Sequence, residues 1–138
     1  MNNEFFSQFI LFKFELIQLE NNIFDFVEKH LFEECENCNK ISNDCFICLI
    51  CGKKICHIPD VCLDVKFHPI SCIGQFCILI DFRTTRLYCL KANLLKKFFY
   101  LYTNDSGAGP DKNITNEYHL NKEKVKLALR DYICLDYN

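Results

Sequence analysis

Residues 35–72 read Cys35-ENCNKISNDCFICLICGKKICHIPDVCLDVKFHPIS-Cys72, and this stretch decides how the rest of the chain is understood. It carries eight of the chain's eleven cysteines and two of its four histidines. Cys35 and Cys38 form one Cys-x2-Cys pair, Cys48 and Cys51 a second, and nine residues separate the two pairs. A structural zinc ion takes four ligands, most often Cys thiolate and His nitrogen. The second pair runs directly into Gly52, and a CxxCG turn is a knuckle whose backbone amides can point at the sulfurs. Glycine permits the tight backbone that such a turn needs. These four cysteines are therefore expected to form one closed tetrahedral site.

Cys56, Cys62, His68 and Cys72 make a second set, with five, five and three residues between successive members. His57 can replace a cysteine in it, and a cross-braced arrangement can exchange ligands between the two sites. Cys45 is ambiguous, because Cys45-x2-Cys48 is also a CxxC pair. Cys77, Cys89 and Cys134 sit in apolar patterns and read as buried free thiols. With every position filled by protein, both sites are structural. A catalytic zinc keeps one position open for water. No HExxH, P-loop or GxSxG is present, and the expected protein is not an enzyme. A cysteine nucleophile would need a nearby base and a depressed pKa.

Outward from the cysteines, the 138-residue chain is expected to be one domain, half apolar and rich in phenylalanine, with a net charge of −2. That balance gives no general attraction to nucleic acid, so polyanion binding must come from local clusters. No secretory signal is visible at the start, and the apolar run over residues 5–12 is far short of the roughly 18 that a membrane span requires. A cytoplasmic protein with reduced thiols and no membrane or small-molecule ligand is the expectation.

Residues 4–20 carry Phe5, Phe9, Phe12 and Leu16 at helical spacing and predict an amphipathic helix. Asn21-Asn22 breaks the pattern, and residues 23–33 predict a second helix, with His30 surface or structural rather than a ligand. Gln75 to Phe82, a turn at Arg83-Thr84-Thr85, and Arg86 to Leu90 predict a β-hairpin. Lys96 to Tyr102 adds a strand, and residues 104–111 are a loop by composition. A final helix starts at Asn121, a good N-cap. Val125, Ala128, Leu129, Tyr132 and Ile133 form its buried stripe. The predicted fold is an α+β zinc-stabilised domain: a helical N-terminal part (1–34), a zinc core (35–74), a β-hairpin or sheet (75–102), and a loop with the C-terminal helix (103–138).

The order Cys48-Leu49-Ile50-Cys51-Gly52, Cys56, Cys62, His68, Cys72-Ile73-Gly74, followed by the hairpin, resembles the C-terminal zinc module of the UBR-type N-recognin ubiquitin ligases. Asn116-Glu117-Tyr118-His119-Leu120 is similar to that family's N-P-L-H-L, with Glu117 in place of its proline. The resemblance covers roughly residues 23–133. Those ligases are much longer, and their substrate-binding zinc box and RING have no counterpart here, so a complete ligase is not expected. A standalone module of this size is also similar to the dormancy factors of microsporidia. That resemblance implies a ribosome partner, reached through rRNA and ribosomal proteins near the tRNA exit site, and inhibition by occupancy. The alternative is a non-catalytic module of a UBR-type degradation assembly. For a ribosome binder the candidate contacts are Lys53, Lys54, Arg83, Arg86, Lys96, Lys97, Lys122, Lys124, Lys126 and Arg130, with Tyr100, Tyr102 and Tyr118 as possible stacking rings.

Overall fold

The computed structural model describes residues 16–35, 38–56, 68, 76–91, 94–110 and 114–128. The predicted helix over 4–20 lies largely outside them. Its described end, residues 16–20, has no regular secondary structure, which corrects that part of the expectation. The segment is held flat instead. The Ile17 amide donates to the Leu49 carbonyl (2.6 Å), and the Tyr102 hydroxyl donates to the Glu20 carbonyl (2.6 Å).

Helix α1 spans Ile23–His30. Asn22 caps it, its side-chain oxygen accepting from the Phe24 amide at 2.8 Å, so the asparagine that breaks the preceding pattern also starts the helix. Ile23 and Phe26 are fully buried. At about 2 kcal/mol for each such side chain, this pair fastens α1 to the sheet.

The main sheet has five antiparallel strands in the order β2-β1-β3-β4-β5. They are β1 (Cys45–Cys48), β2 (Lys54–Cys56), β3 (Phe76–Asp81), β4 (Arg86–Lys91) and β5 (Leu94–Tyr100). The expected hairpin is its centre, and its turn is closed by Asp81. The Asp81 carboxylate accepts from the Arg83 amide and the Thr84 hydroxyl, at 3.1 and 3.0 Å. A two-stranded ladder, β6 (Tyr102–Thr103) with β7 (His119–Leu120), lies beyond β5. The last helix, α2, is helical over residues 122–128, with the Asn121 side chain accepting from the Lys124 amide at 3.2 Å.

Strand alternation gives the sheet two unlike faces. Cys45, Ile47, Ile78, Ile80, Leu87 and Cys89 point to one, where Ile23 and Phe26 of α1, Leu101, Tyr102, Tyr118 and Ala128 complete the core. Phe46, Cys48, Ile55, Cys77, Leu79 and Leu90 point to the other. The candidate metal ligands are distributed between these faces.

Candidate metal centres

Two groups of soft donors converge. The sulfurs of Cys35, Cys38 and Cys56 lie within 4.8 Å of one another, and so do the donor atoms of Cys48, Cys51 and His68. Either group could hold a metal ion. Ligand distances for zinc put the edges of a coordination tetrahedron at about 3.8 Å between two sulfurs and about 3.6 Å between sulfur and nitrogen. Cys38 Sγ stands 3.5 Å from Cys56 Sγ, and Cys51 Sγ 3.4 Å from His68 Nε2, close to those edges.

Each Cys-x2-Cys pair sits on the same local turn. In one, the Gly52 amide donates to the Cys48 carbonyl (2.8 Å) and the Cys48 amide to the Lys53 carbonyl (3.0 Å). In the other, the Asn39 amide donates to the Cys35 carbonyl (2.7 Å) and the Cys35 amide to the Lys40 carbonyl (3.1 Å). The residue after the second cysteine is left-handed in both, φ +80° at Gly52 and +58° at Asn39. Asparagine is among the few non-glycine residues that occupy this region readily. The sequence advertises the first knuckle through its glycine. The second carries its signal in Asn39, which the sequence reading passed over.

The grouping departs from the sequential assignment of Cys35, Cys38, Cys48 and Cys51 to one site and follows the cross-braced alternative. Cys35 and Cys38 are joined by Cys56, not by Cys48 and Cys51, and His68 joins the latter. The cause is the β1–β2 hairpin, which was not anticipated. The Cys48–Cys51 knuckle is its turn, and the register pairs Cys45 with Cys56. Cys56 therefore projects to the α1 side with Cys45, while Cys48, three residues along β1 from Cys45, projects to the opposite side. Cys62, Cys72 and His57 lie outside the described residues.

Burial, and then the neighbouring thiols of Cys38 and Cys35, push the Cys56 thiol up. A divalent cation inverts that preference, because a coordinating thiol is deprotonated outright. Three described thiols outside both clusters, Cys45, Cys77 and Cys89, are held as neutral core groups. Burial raises Cys77, and brings Cys45 to about 12 and Cys89 to about 11 from an ordinary value of 9.0. That direction is opposite to thiolate activation. His30, buried and in neither cluster, has its Nδ1 3.0 Å from Glu33 and its ring edge-on to Phe26.

The expected cationic contacts divide sharply. Lys54 is buried at 4 % exposure and its ammonium donates to the His30 and Leu31 carbonyls, at 3.0 and 3.4 Å. It fastens the end of α1 and is withdrawn from the surface, which corrects its assignment as an outward contact. Arg83 pairs with Asp44 at 2.9 Å and Lys126 with Glu123 at 3.6 Å. Lys53, Lys96, Lys97 and Lys122 are exposed, Arg86 and Lys124 are half-buried, and Arg130 lies outside the described residues. Tyr102 and Tyr118 are core residues, and Gly109 is packed against the Tyr100 ring. Among the described residues no helix is long and apolar enough to cross a membrane.

Compared with known proteins, the chain matches no family model and no curated protein.

Proposed function

We propose that each cluster binds one structural Zn2+, and that the zinc-clamped domain is a non-catalytic ribosome-binding dormancy factor acting by occupancy of the tRNA exit site. Cys62 completes the Cys35/Cys38/Cys56 set, its nearest partner along the chain being Cys56. Cys72, four residues after His68, completes the Cys48/Cys51/His68 set. Thiolate and imidazole donors suit zinc, and four protein ligands at each ion leave no open position for chemistry.

The observation that carries this reading is the pair of matched knuckles gripping one sheet from its two faces. Such an arrangement crosslinks the β1–β2 hairpin to chain segments on both sides of the sheet, which rigidifies the domain. The ribosome as partner is supported by the resemblance of the ligand order and by the exposed cations Lys96, Lys97 and Lys122, which face no carboxylate among the described residues.

Metal analysis should return two zinc per chain, and Cys51→Ser should unfold the domain, because metal-binding energy at such sites is folding energy. A stably folded metal-free protein would overturn the zinc reading. The purified protein should co-sediment with ribosomes and be released as salt rises. Failure to co-sediment at low salt refutes the ribosome reading. A pull-down dominated by ubiquitin-conjugating enzymes, without ribosomal proteins, would favour a module of a UBR-type degradation assembly instead.

A further inference from the structure

The cations of this domain are not treated alike by the fold. Lys29, Arg83 and Lys126 each face a carboxylate, at 3.0, 2.9 and 3.6 Å. Arg86, Lys96, Lys97, Lys122 and Lys124 face none among the described residues, and four of them, Arg86, Lys96, Lys97 and Lys124, gather where β4, the edge strand β5 and α2 meet.

Three of the five are held on rings of β5. Lys96 Nζ lies 5.4 Å from the centre of the Phe98 ring, Lys124 Nζ 5.0 Å from Phe99, and the Arg86 guanidinium carbon 5.2 Å from Tyr100. Arg86 is fixed further by donating Nε–H to the Phe98 carbonyl at 2.6 Å. Such contacts order long side chains before any ligand arrives, which lowers the entropy cost of binding.

A bulge arranges them. The register slips between Arg86 and Tyr88, so Phe98 and Phe99 together oppose Leu87. Both rings then pack against the α1-side core, bringing Lys124 of α2 over β5. Before the slip, Lys96 pairs with Cys89 of the α1 face and Lys97 with Tyr88 of the opposite face. The edge is thus a ridge with cations directed to both sides.

We propose that this ridge is a binding site for the sugar–phosphate backbone of double-stranded RNA, seated in a groove with phosphates on both walls. The rings do not offer a stacking platform. Phe98, Phe99 and Tyr100 carry cations and lean on the core or on Gly109, and Tyr102 and Tyr118 are buried. Unstacked bases need open rings, whereas A-form duplexes are recognised through shape and backbone. The site depends on the ribosome reading only for which RNA supplies the duplex.

Edge lysines also keep strands of separate copies from pairing. Charge reversal separates the two roles, because glutamate protects an edge equally well but repels phosphate. The zinc-loaded protein is titrated with a mixed-sequence RNA duplex of about 20 base pairs, with one of its strands alone, and with a poly-glutamate peptide. The duplex should bind best, with a log–log salt slope of about −4. Lys96→Glu, Lys97→Glu and Lys124→Glu should each reduce that slope by about 1 and weaken binding several-fold, while Lys29→Glu, exposed on α1, should not. Unchanged zinc content and circular dichroism confirm the fold of each variant. Equal binding by the Lys96→Glu, Lys97→Glu and wild-type proteins overturns the proposal, as does preference for the single strand or for poly-glutamate. If wild-type protein binds the duplex but not ribosomes, the ridge stands and the ribosome reading falls. If all variants bind the duplex as the parent does and still sediment with ribosomes, the ridge falls and that reading stands.

Discussion

Replacing Lys54 by methionine isolates the contribution of one buried charge. The last carbonyls of a helix have no partner within it, and at the end of α1 the Lys54 ammonium supplies one, 3.0 Å from the His30 oxygen and 3.4 Å from that of Leu31. It also stands 5.1 Å from the centre of the Phe82 ring. A hydrogen bond from a charged donor is worth about 1.5–3 kcal/mol, and the favourable position at a helix C-terminus adds up to about 2. Against these stands the desolvation of an ammonium, several kcal/mol even after relaxation. Methionine keeps the apolar stem, removes the charge with its desolvation cost, and leaves the His30 carbonyl without its donor, a loss of about 1–3 kcal/mol. The expected net change is therefore a destabilisation of about 1–3 kcal/mol. Urea denaturation at neutral pH and fixed zinc reads it as a lower midpoint with an unchanged slope. Zinc content should not move, which separates the loss of the tie from loss of metal. A methionine variant as stable as the parent, or more so, would show that desolvation cancels the interaction and that α1 does not depend on Lys54.

Three other outcomes follow from particular residues. Gly52→Asn, which copies Asn39 of the other knuckle, should cost less than Gly52→Val by about 1 kcal/mol in denaturation midpoint, since the strain lies in φ +80° and the nearest side-chain atom, on Ile17, is 3.7 Å away. Gly109→Ala places a methyl group inside the Tyr100 ring, and should lower thermal stability by about 1–3 kcal/mol while freeing the Arg86 contact. Cys89 keeps its thiol proton to about pH 11 in the fold, against an ordinary value of 9.0 in the unfolded chain. Its contribution is complete below pH 9 and is lost as pH rises to 11, so the parent should lose more stability over that interval than Cys89→Ala.

The sequence was most informative where one residue type performs one local task. Asn121 caps its helix as expected, Asn21-Asn22 ends the preceding pattern where α1 begins, and the alternating apolar residues of β3 and β4 pair as a hairpin. The β1–β2 hairpin was not legible, because Cys48 and Cys56 read as ligands and Cys45 as an ambiguous third, which masked their role as strand residues. Lys54 looked like a surface cation for a similar reason. Nothing near it in sequence foretells that Ile47 lies beside it or that the end of α1 lies above. The described part of the first segment is a flat strap rather than a helix end, and its partners, Leu49 and Tyr102, are distant in the chain. Helical spacing marks which residues are apolar, but backbone partners supplied by the tertiary fold decide the conformation.

That distinction explains the interleaving of the clusters. Spacing along the chain is a guide to ligand grouping only while the intervening residues form loops. Once residues 45–48 and 54–56 pair as strands, a ligand's face is set by alternation within its own strand and by the register that puts Cys56 opposite Cys45. Cys48 and Cys56 come from one hairpin and are directed to opposite sides of the sheet. With the proposed Zn2+ in both clusters, β1 and β2 are gripped from both faces at once. One ion ties them to the Cys35–Cys38 knuckle, the other to His68. Sequential pairing would have left two modules able to open separately. The interleaved pairing makes the hairpin common to both, so release of either ion unseats a ligand-bearing wall of the other, and the domain should lose its two metals as a single cooperative unit.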